Sequence, residues 1–358
     1  MGIEQLANTL SELYRSYGYL SYTMSKFEEY ELYLNNKDFL VSDRVLTFTD
    51  TDGKLMALKP DVTLSIIKNT ADSCSGIQKV YYRENVYRPG NRGFREIMQV
   101  GLECMGNVDS YCILEVLLLA VKSLQTISPR CVLDISHMGL LSWLLDWCGL
   151  FGSARSAALG AIGSKNSHEL RNICQNAGVS SQELEQLTHL SGKAADVMPT
   201  LETLFSGAPE LAQFKQLLNA LEKTGVDCVN VDFSVVNDMN YYNGIVFRGF
   251  VEGIPAGVLS GGQYDGLMKK MNRSSKAIGF ALYPDLLERL MTEEQTTDVD
   301  AVLYYREDAE LTAVAAAVAA LAKQGLRVSA QPGNACSLRA GKCYQLEGNE
   351  VKPIETDA

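Results

Sequence analysis

The chain has 358 residues, 46% hydrophobic and 21% charged, with a formal net charge of −11. That is enough for roughly two globular domains. The acidic balance argues against nucleic acid as the main partner, because neutralising phosphates takes clustered Lys and Arg. No apolar run of membrane-spanning length is evident and the start, Met1-Gly2-Ile3-Glu4-Gln5, lacks a signal-peptide pattern, so a cytoplasmic protein without a membrane partner is the default expectation.

Residues 3–17 place Ile3, Leu6, Ala7, Leu10, Leu13, Tyr14 and Tyr17 at helical spacing before Gly18. Residues 19–34 are mixed. Val45–Thr49 and Lys54–Leu58 alternate around Asp50-Thr51-Asp52-Gly53, which reads as a hairpin. Lys59-Pro60-Asp61-Val62-Thr63 then has the chemistry of a helix start.

The stretch Tyr81–Gly106 predicts a longer hairpin, with alternating runs on either side of Pro89-Gly90-Asn91-Arg92-Gly93. Gln99, Gly101 and Glu103 are two residues apart and so share a strand face. If that face is inward, an amide and a carboxylate point into a cavity and call for a small polar ligand; otherwise they lie on a solvated sheet face.

Residues 110–121 predict an apolar buried helix, and Cys131–Ile135 a short strand. Residues 139–222 read as almost wholly helical, giving an inserted helical subdomain at about 150–220. Strand character returns at Val229–Val236, Ile245–Val251, Ala256–Leu259 and Ala277–Leu282, with Ser260–Gly266 read as a glycine-rich turn and a helix expected over Pro284–Leu290. After a polar linker, residues 298–358 predict a β-α-β unit with a closing strand near Cys343–Leu346 and Asp308 as helix cap. At roughly 60 residues such a unit is small for an independent core. The pattern as a whole predicts an α+β fold with a mostly antiparallel sheet.

Nine cysteines without a C-x-x-C pair read as reduced thiols, and His137, His168 and His189 lack metal-ligand spacing, so neither metal nor cofactor is expected. His137 is open to an acid–base or a structural reading.

Several stretches together resemble the core of a class II aminoacyl-tRNA synthetase, specifically the histidyl-tRNA synthetase type. The long hairpin resembles class II motif 2, with Arg88 at the place of its arginine. Leu58–Thr63 resembles the amino-group-binding segment, and Asn240-Tyr241-Tyr242-Asn243 the histidine-specific motif. Gly261–Leu267 resembles the continuation of that motif, and Ala277–Ala281 the start of motif 3. The resemblance covers roughly residues 1–290, with 298–358 similar to a truncated anticodon-binding unit. It implies that Asp61, Thr63 and Gln99 hold the α-amino group of histidine. Glu103 and Tyr242 would address the imidazole, Tyr241 and Tyr264 would line the pocket, and Arg88 would orient a carboxylate.

Two departures change what the resemblance implies. Asn237 and Leu286 stand where synthetases carry arginines that serve ATP, and the hairpin loop is short. Adenylate chemistry depends on preorganised positive charge, which an amide and a leucine cannot supply. The combination resembles the regulatory-subunit family of ATP phosphoribosyltransferase, a non-catalytic paralogue of the synthetases. That resemblance implies a short-form catalytic subunit as partner and a core homodimer within a hetero-octamer. It also implies L-histidine as feedback ligand, no tRNA, and a role in the first step of histidine biosynthesis. The alternatives are a divergent histidyl-tRNA synthetase and another class II amino-acid ligase.

Overall fold

The computed structural model describes residues 2–40, 42, 44–72, 76–90, 93–236, 242–287, 290 and 297–354. The chain divides into two compact units, Ile3–Met291 and Thr292–Ala358.

The larger unit is built on a nine-stranded sheet. Its strands run in the order Leu20–Ser21, Ile77–Gly90, Gly93–Gly106, Lys276–Leu282, Leu259–Gln263, Ile245–Val251, Cys131–His137, Val229–Asp232 and Ser191–Gly192. Neighbours are antiparallel except at Leu20–Ser21 beside Ile77–Gly90 and Cys131–His137 beside Val229–Asp232. The long hairpin is therefore part of the central sheet, paired from Ile77↔Gly106 out to Gly90↔Gly93. Its second strand is buried over its last eight residues on both faces, which rules out a solvated face for Gln99 and Glu103.

Helices cover one face. Leu6, Ala7, Leu10 and Tyr14 of helix Ile3–Ser16 pack with Val116, Leu117, Ala120 and Val121 of helix Ser110–Ile127 over Val100, Leu102, Ile278 and Phe280. The first helix ends at Gly18, whose φ of +81° is cheap only for glycine. Helix Ser110–Ile127 is long and apolar enough by length and composition to cross a bilayer. Here it is the central core helix, with Ser123 bonded to the buried Tyr14 hydroxyl at 3.0 Å and Glu115 accepting from Lys79 at 2.5 Å.

The opposite face of the sheet carries a second apolar cluster, in which Tyr82, Val86 and Met105 meet Leu64, Ile67 and Leu267. A small sheet, Phe27–Glu29, Leu55–Leu58 and Thr47–Thr49 with the middle strand central, adjoins helix Val62–Asn69 in sequence. Between Cys131–His137 and Val229–Asp232 the chain makes six helices, from Met138–Trp147 to Leu211–Lys223. It touches the sheet again through Ser191–Gly192.

Four local expectations are corrected. Ser260-Gly261-Gly262 is not a turn: strand Leu259–Gln263 runs through it. The glycines are there for close approach, because a Cβ on Gly261 would collide with Gly279 O and lie 2.5 Å from Phe280 Cβ, and one on Gly262 would lie 2.6 Å from Tyr242 Cδ1. The helix expected over Pro284–Leu290 is a short 3-10 turn, Pro284–Leu287. In the second unit, Asp308 pairs with Arg306 instead of capping, and helix Leu311–Lys323 starts after Glu310. That unit is a four-stranded sheet in the order Val328–Pro332, Val299–Tyr305, Ala340–Glu347 and Glu350–Ile354, one strand more than the sequence pattern indicates. Leu303, Leu346, Ala317 and Leu321 form its core.

Gly261→Ala tests the packing argument. Overpacking at a site closed by backbone on one side is expected to cost about 1–3 kcal/mol or more. The check is a lowered urea midpoint in equilibrium unfolding.

Candidate functional site

The site grows from Glu103. Pairing sets Glu103 opposite Val80 on one side and Gly279 on the other. Its side chain occupies the space a residue at Gly279 would need, since a Cβ there would overlap the Glu103 carboxylate. Gly101, opposite Tyr82, gives way in the same manner to the Tyr82 ring, with the hydroxyl 2.6 Å from where a Cβ would be. Across three adjacent strands, each glycine thus makes room for its neighbour's side chain, Gly279 for the Glu103 carboxylate and Gly101 for the Tyr82 phenol.

Glu103 is 2% exposed and Gln99 3%. The Glu103 carboxylate accepts from Tyr264 Oη at 2.7 Å and from Thr63 Oγ1 at 2.9 Å. Burial raises its pKa from an ordinary 4.5 to about 8, against the two hydrogen bonds and with a smaller push from Asp61. Asp61 caps helix Val62–Asn69 by accepting from Leu64 N at 2.9 Å. Its own pKa is raised, burial outweighing the Arg88 guanidinium, whose Nη2 lies 3.9 Å from Asp61 Oδ2. Arg88 Nε donates to Pro60 O at 2.8 Å. Burial also pushes the Tyr82 and Tyr242 hydroxyls well above their usual range.

These residues enclose a cavity of about 50 Å³. Of the residues singled out in the sequence, Asp61, Thr63, Arg88, Gln99, Glu103, Tyr242 and Tyr264 line it. Leu286 does not; it is 41% exposed on the turn after the last strand. Asn237 and Tyr241 lie outside the described residues. Sequence reading missed Tyr82, Ser260, Gly279 and Tyr283, which also line the cavity. For Tyr82 a signal exists, since a large residue faces Gly101 once the hairpin register is drawn. Gly279 falls within the stretch that resembles motif 3, though the resemblance assigns it no role; for Ser260 and Tyr283 there is no signal, because they reach the site only through long-range pairing.

His137 is settled as structural. Its Nδ1 accepts from Leu140 N at 3.2 Å as the cap of helix Met138–Trp147, and burial lowers its pKa to about 4, so it stays neutral. Eight cysteines are free thiols, and Cys74 lies outside the described residues. Among the described residues no cluster of His, Cys, Asp and Glu could hold a metal ion.

Chemically, the cavity presents two carboxylates and several hydroxyls, and among the described residues its one guanidinium, that of Arg88, is already engaged. It suits a small ligand carrying cationic and N–H groups. It is poor in the positive charge that a polyphosphate requires.

The raised Glu103 pKa has a consequence for stability. Between the unfolded value of 4.5 and about 8 the folded state holds a proton that the unfolded state has released, so stability falls as pH rises through that window. Glu103→Gln removes the dependence. Its urea midpoint is expected to exceed that of the unsubstituted chain increasingly from pH 5 to about pH 8, with the advantage gone near pH 4.5.

The comparisons with known proteins agree with this architecture. The chain is similar to the ATP phosphoribosyltransferase regulatory subunit of Oceanobacillus iheyensis, 26% identical over 371 residues, covering 98% of this chain and 91% of that protein. It is also similar to the histidine–tRNA ligase of Methanosarcina acetivorans, 27% identical over 268 residues, covering 72% and 64%. Among solved structures, an ATP phosphoribosyltransferase regulatory subunit/histidyl-tRNA synthetase from Bacillus halodurans superposes with a TM-score of 0.79 at 24% identity, covering 94% of this chain and 89% of that one. The model of the histidyl-tRNA synthetase family matches residues 2–287, and the chain belongs to that family.

Proposed function

We propose that this chain is a non-catalytic regulatory subunit of ATP phosphoribosyltransferase, and that the cavity around Glu103 takes L-histidine. The observation that carries the first part is the similarity to a regulatory subunit over nearly the whole length of both chains. The chemistry of the cavity supports the second. Asp61 and Gln99 offer acceptors to an α-ammonium, and Thr63, which donates to Glu103, keeps acceptor lone pairs for the same group. Glu103, with Tyr242 and Tyr264 beside it, faces an imidazole, and a cationic ligand favours its ionised form. Tyr241 belongs to the same proposal from the sequence alone.

Aminoacylation is lost on this reading. Arg88 is tied to Pro60 O and faces Asp61, and Leu286 adds no charge. Adenylate formation is left without the positive charge on which its transition state depends. The partner is a short catalytic phosphoribosyltransferase subunit that this chain activates in the first step of histidine biosynthesis. The proposed assembly is a hetero-octamer containing homodimers of this chain, with no role for tRNA. Histidine regulates by binding the assembly's states with unequal affinity. A divergent histidyl-tRNA synthetase is the second reading, favoured by the similarity to the ligase.

Calorimetric titration with histidine and with ATP separates the two. Saturable histidine binding without ATP binding is expected, whereas ATP binding with histidine-dependent pyrophosphate exchange would establish the ligase. Co-purification with the short catalytic subunit, and dependence of that subunit's activity on this chain, tests the partner. Glu103→Ala removes a buried charged partner. It is expected to weaken histidine binding by about 2–5 kcal/mol, roughly 30-fold or more in Kd, with circular dichroism unchanged.

A further inference from the structure

Lys59 is wholly buried, 0% exposed, two residues before the Asp61–Thr63 arm that lines the cavity. An ammonium with no access to water must be paired, and its Nζ meets Glu84 Oε2 at 2.5 Å. The other Glu84 oxygen accepts from Met24 N at 3.2 Å. Glu84 faces Gln99 across the hairpin and shares the sheet face of Tyr82, so this pair lies on the same side of the sheet as the cavity.

The Lys59 backbone is held on both sides. Its N–H donates to Lys26 O at 3.1 Å, and its carbonyl accepts from Tyr87 N at 2.9 Å. Arg88 takes the next carbonyl, Pro60 O. From that fixed point the chain has little freedom. Asp61 turns back to cap its helix, and in the first turn of that helix Thr63 donates to Glu103. Three segments that are remote in sequence, around residues 24–26, 59–63 and 84–88, are thus tied at one ion pair.

We infer that Lys59, through Glu84, is a positioning residue that sets the Asp61–Thr63 arm against Glu103 and thereby sets the affinity of the cavity for its ligand. A pair of apolar residues could fill the same volume. It would not fix the direction of the arm, because packing is less directional than a hydrogen-bonded charge pair shared by three segments. A site whose groups must converge on one small ligand loses binding when its support is loosened by a fraction of an ångström. The inference rests on the proposed histidine reading.

The test is calorimetric titration of the full chain with L-histidine, alongside the thermal midpoint of the ligand-free protein. The variants are K59M/E84L, E84Q and K59R. The apolar double variant replaces a buried pair with residues of similar bulk and is expected to keep its midpoint, while its Kd rises about tenfold. E84Q keeps an acceptor for Met24 N but leaves the Lys59 ammonium without a counter-charge, so its midpoint is expected to fall, and K59R, which keeps the charge pair, serves if the others do not fold. K59R, which retains a charged donor, is expected to recover part of the affinity lost in the double variant. A folded K59M/E84L or E84Q that binds histidine as tightly as the unsubstituted chain overturns the inference. So does a loss of affinity that tracks loss of the ligand-free midpoint across all three variants, which is the signature of a merely structural pair. An unsubstituted chain that gives no saturable histidine signal overturns the ligand reading, and the inference falls with it.

Discussion

The constraint on which the rest of the cavity depends is a carboxylate placed inside a sheet. Glu103 lies on a central strand with strands on both sides. A buried carboxylate without a counter-charge is costly unless its oxygens are satisfied. The chain meets that requirement with two neutral donors, Tyr264 and Thr63, not with a cation. Each donor then needs its own support. Thr63 sits in the first turn of a helix whose start is set by Asp61, and Tyr264 follows directly on strand Leu259–Gln263. The glycines complete the arrangement, since Gly279 leaves the space that the carboxylate fills. Fold and site are in this sense the same problem, because the residues that close the sheet also aim the polar groups.

Much of this was legible in the sequence wherever the signal is local. The period-two spacing of Gln99, Gly101 and Glu103 puts them on one face, and that face is where they are found. Asp61 before an apolar run reads as a helix start and is one. The resemblance to class II motifs added Tyr242 and Tyr264 to the same neighbourhood before any pairing was known. What was not legible depends on partners remote in sequence. The Ser260-Gly261-Gly262 run has turn composition, yet its glycines answer to Phe280, Gly279 and Tyr242 across the sheet. Tertiary crowding overrode local propensity there. Lys59 reads as a surface lysine in any window of sequence. Only the docking of its segment on the hairpin, where Tyr87 N donates to its carbonyl and Glu84 meets its ammonium, makes it a buried one.

The electrostatics of the cavity separate recognition from reaction. A ligase must bind the transition state of phosphoanhydride cleavage more tightly than its substrates, which takes positive charge aimed at the reacting phosphate. Here the guanidinium of Arg88 donates to Pro60 O and lies near Asp61, so it organises the arm that carries Asp61 and Thr63 to the cavity. The turn that follows the last strand carries Leu286, and its Asp285 is bound to Met98 N at 3.0 Å, fastening the turn to the hairpin. Both elements hold the walls of the cavity, and neither adds free positive charge to it.

A cavity of this kind can still act as a sensor. Ligand binding shifts an equilibrium only by the difference in affinity between two states, and such a difference requires that the groups reading the ligand be mechanically joined to something that changes. Three such joints meet at the cavity. Thr63 links Glu103 to helix Val62–Asn69, Arg88 links the hairpin to Pro60, and Glu84 links the hairpin to the segment leading into the small sheet at Phe27–Glu29. A ligand that draws Glu103 into its ionised form alters the demand on Thr63 and Tyr264 first, because their hydroxyl protons are the ones that satisfy it. The response then passes through hydrogen bonds of fixed direction, not through packing alone. On the proposed function this is what suits the cavity to regulation: recognition needs only the acceptors and the donors behind them, and those are the parts that the strands hold in place.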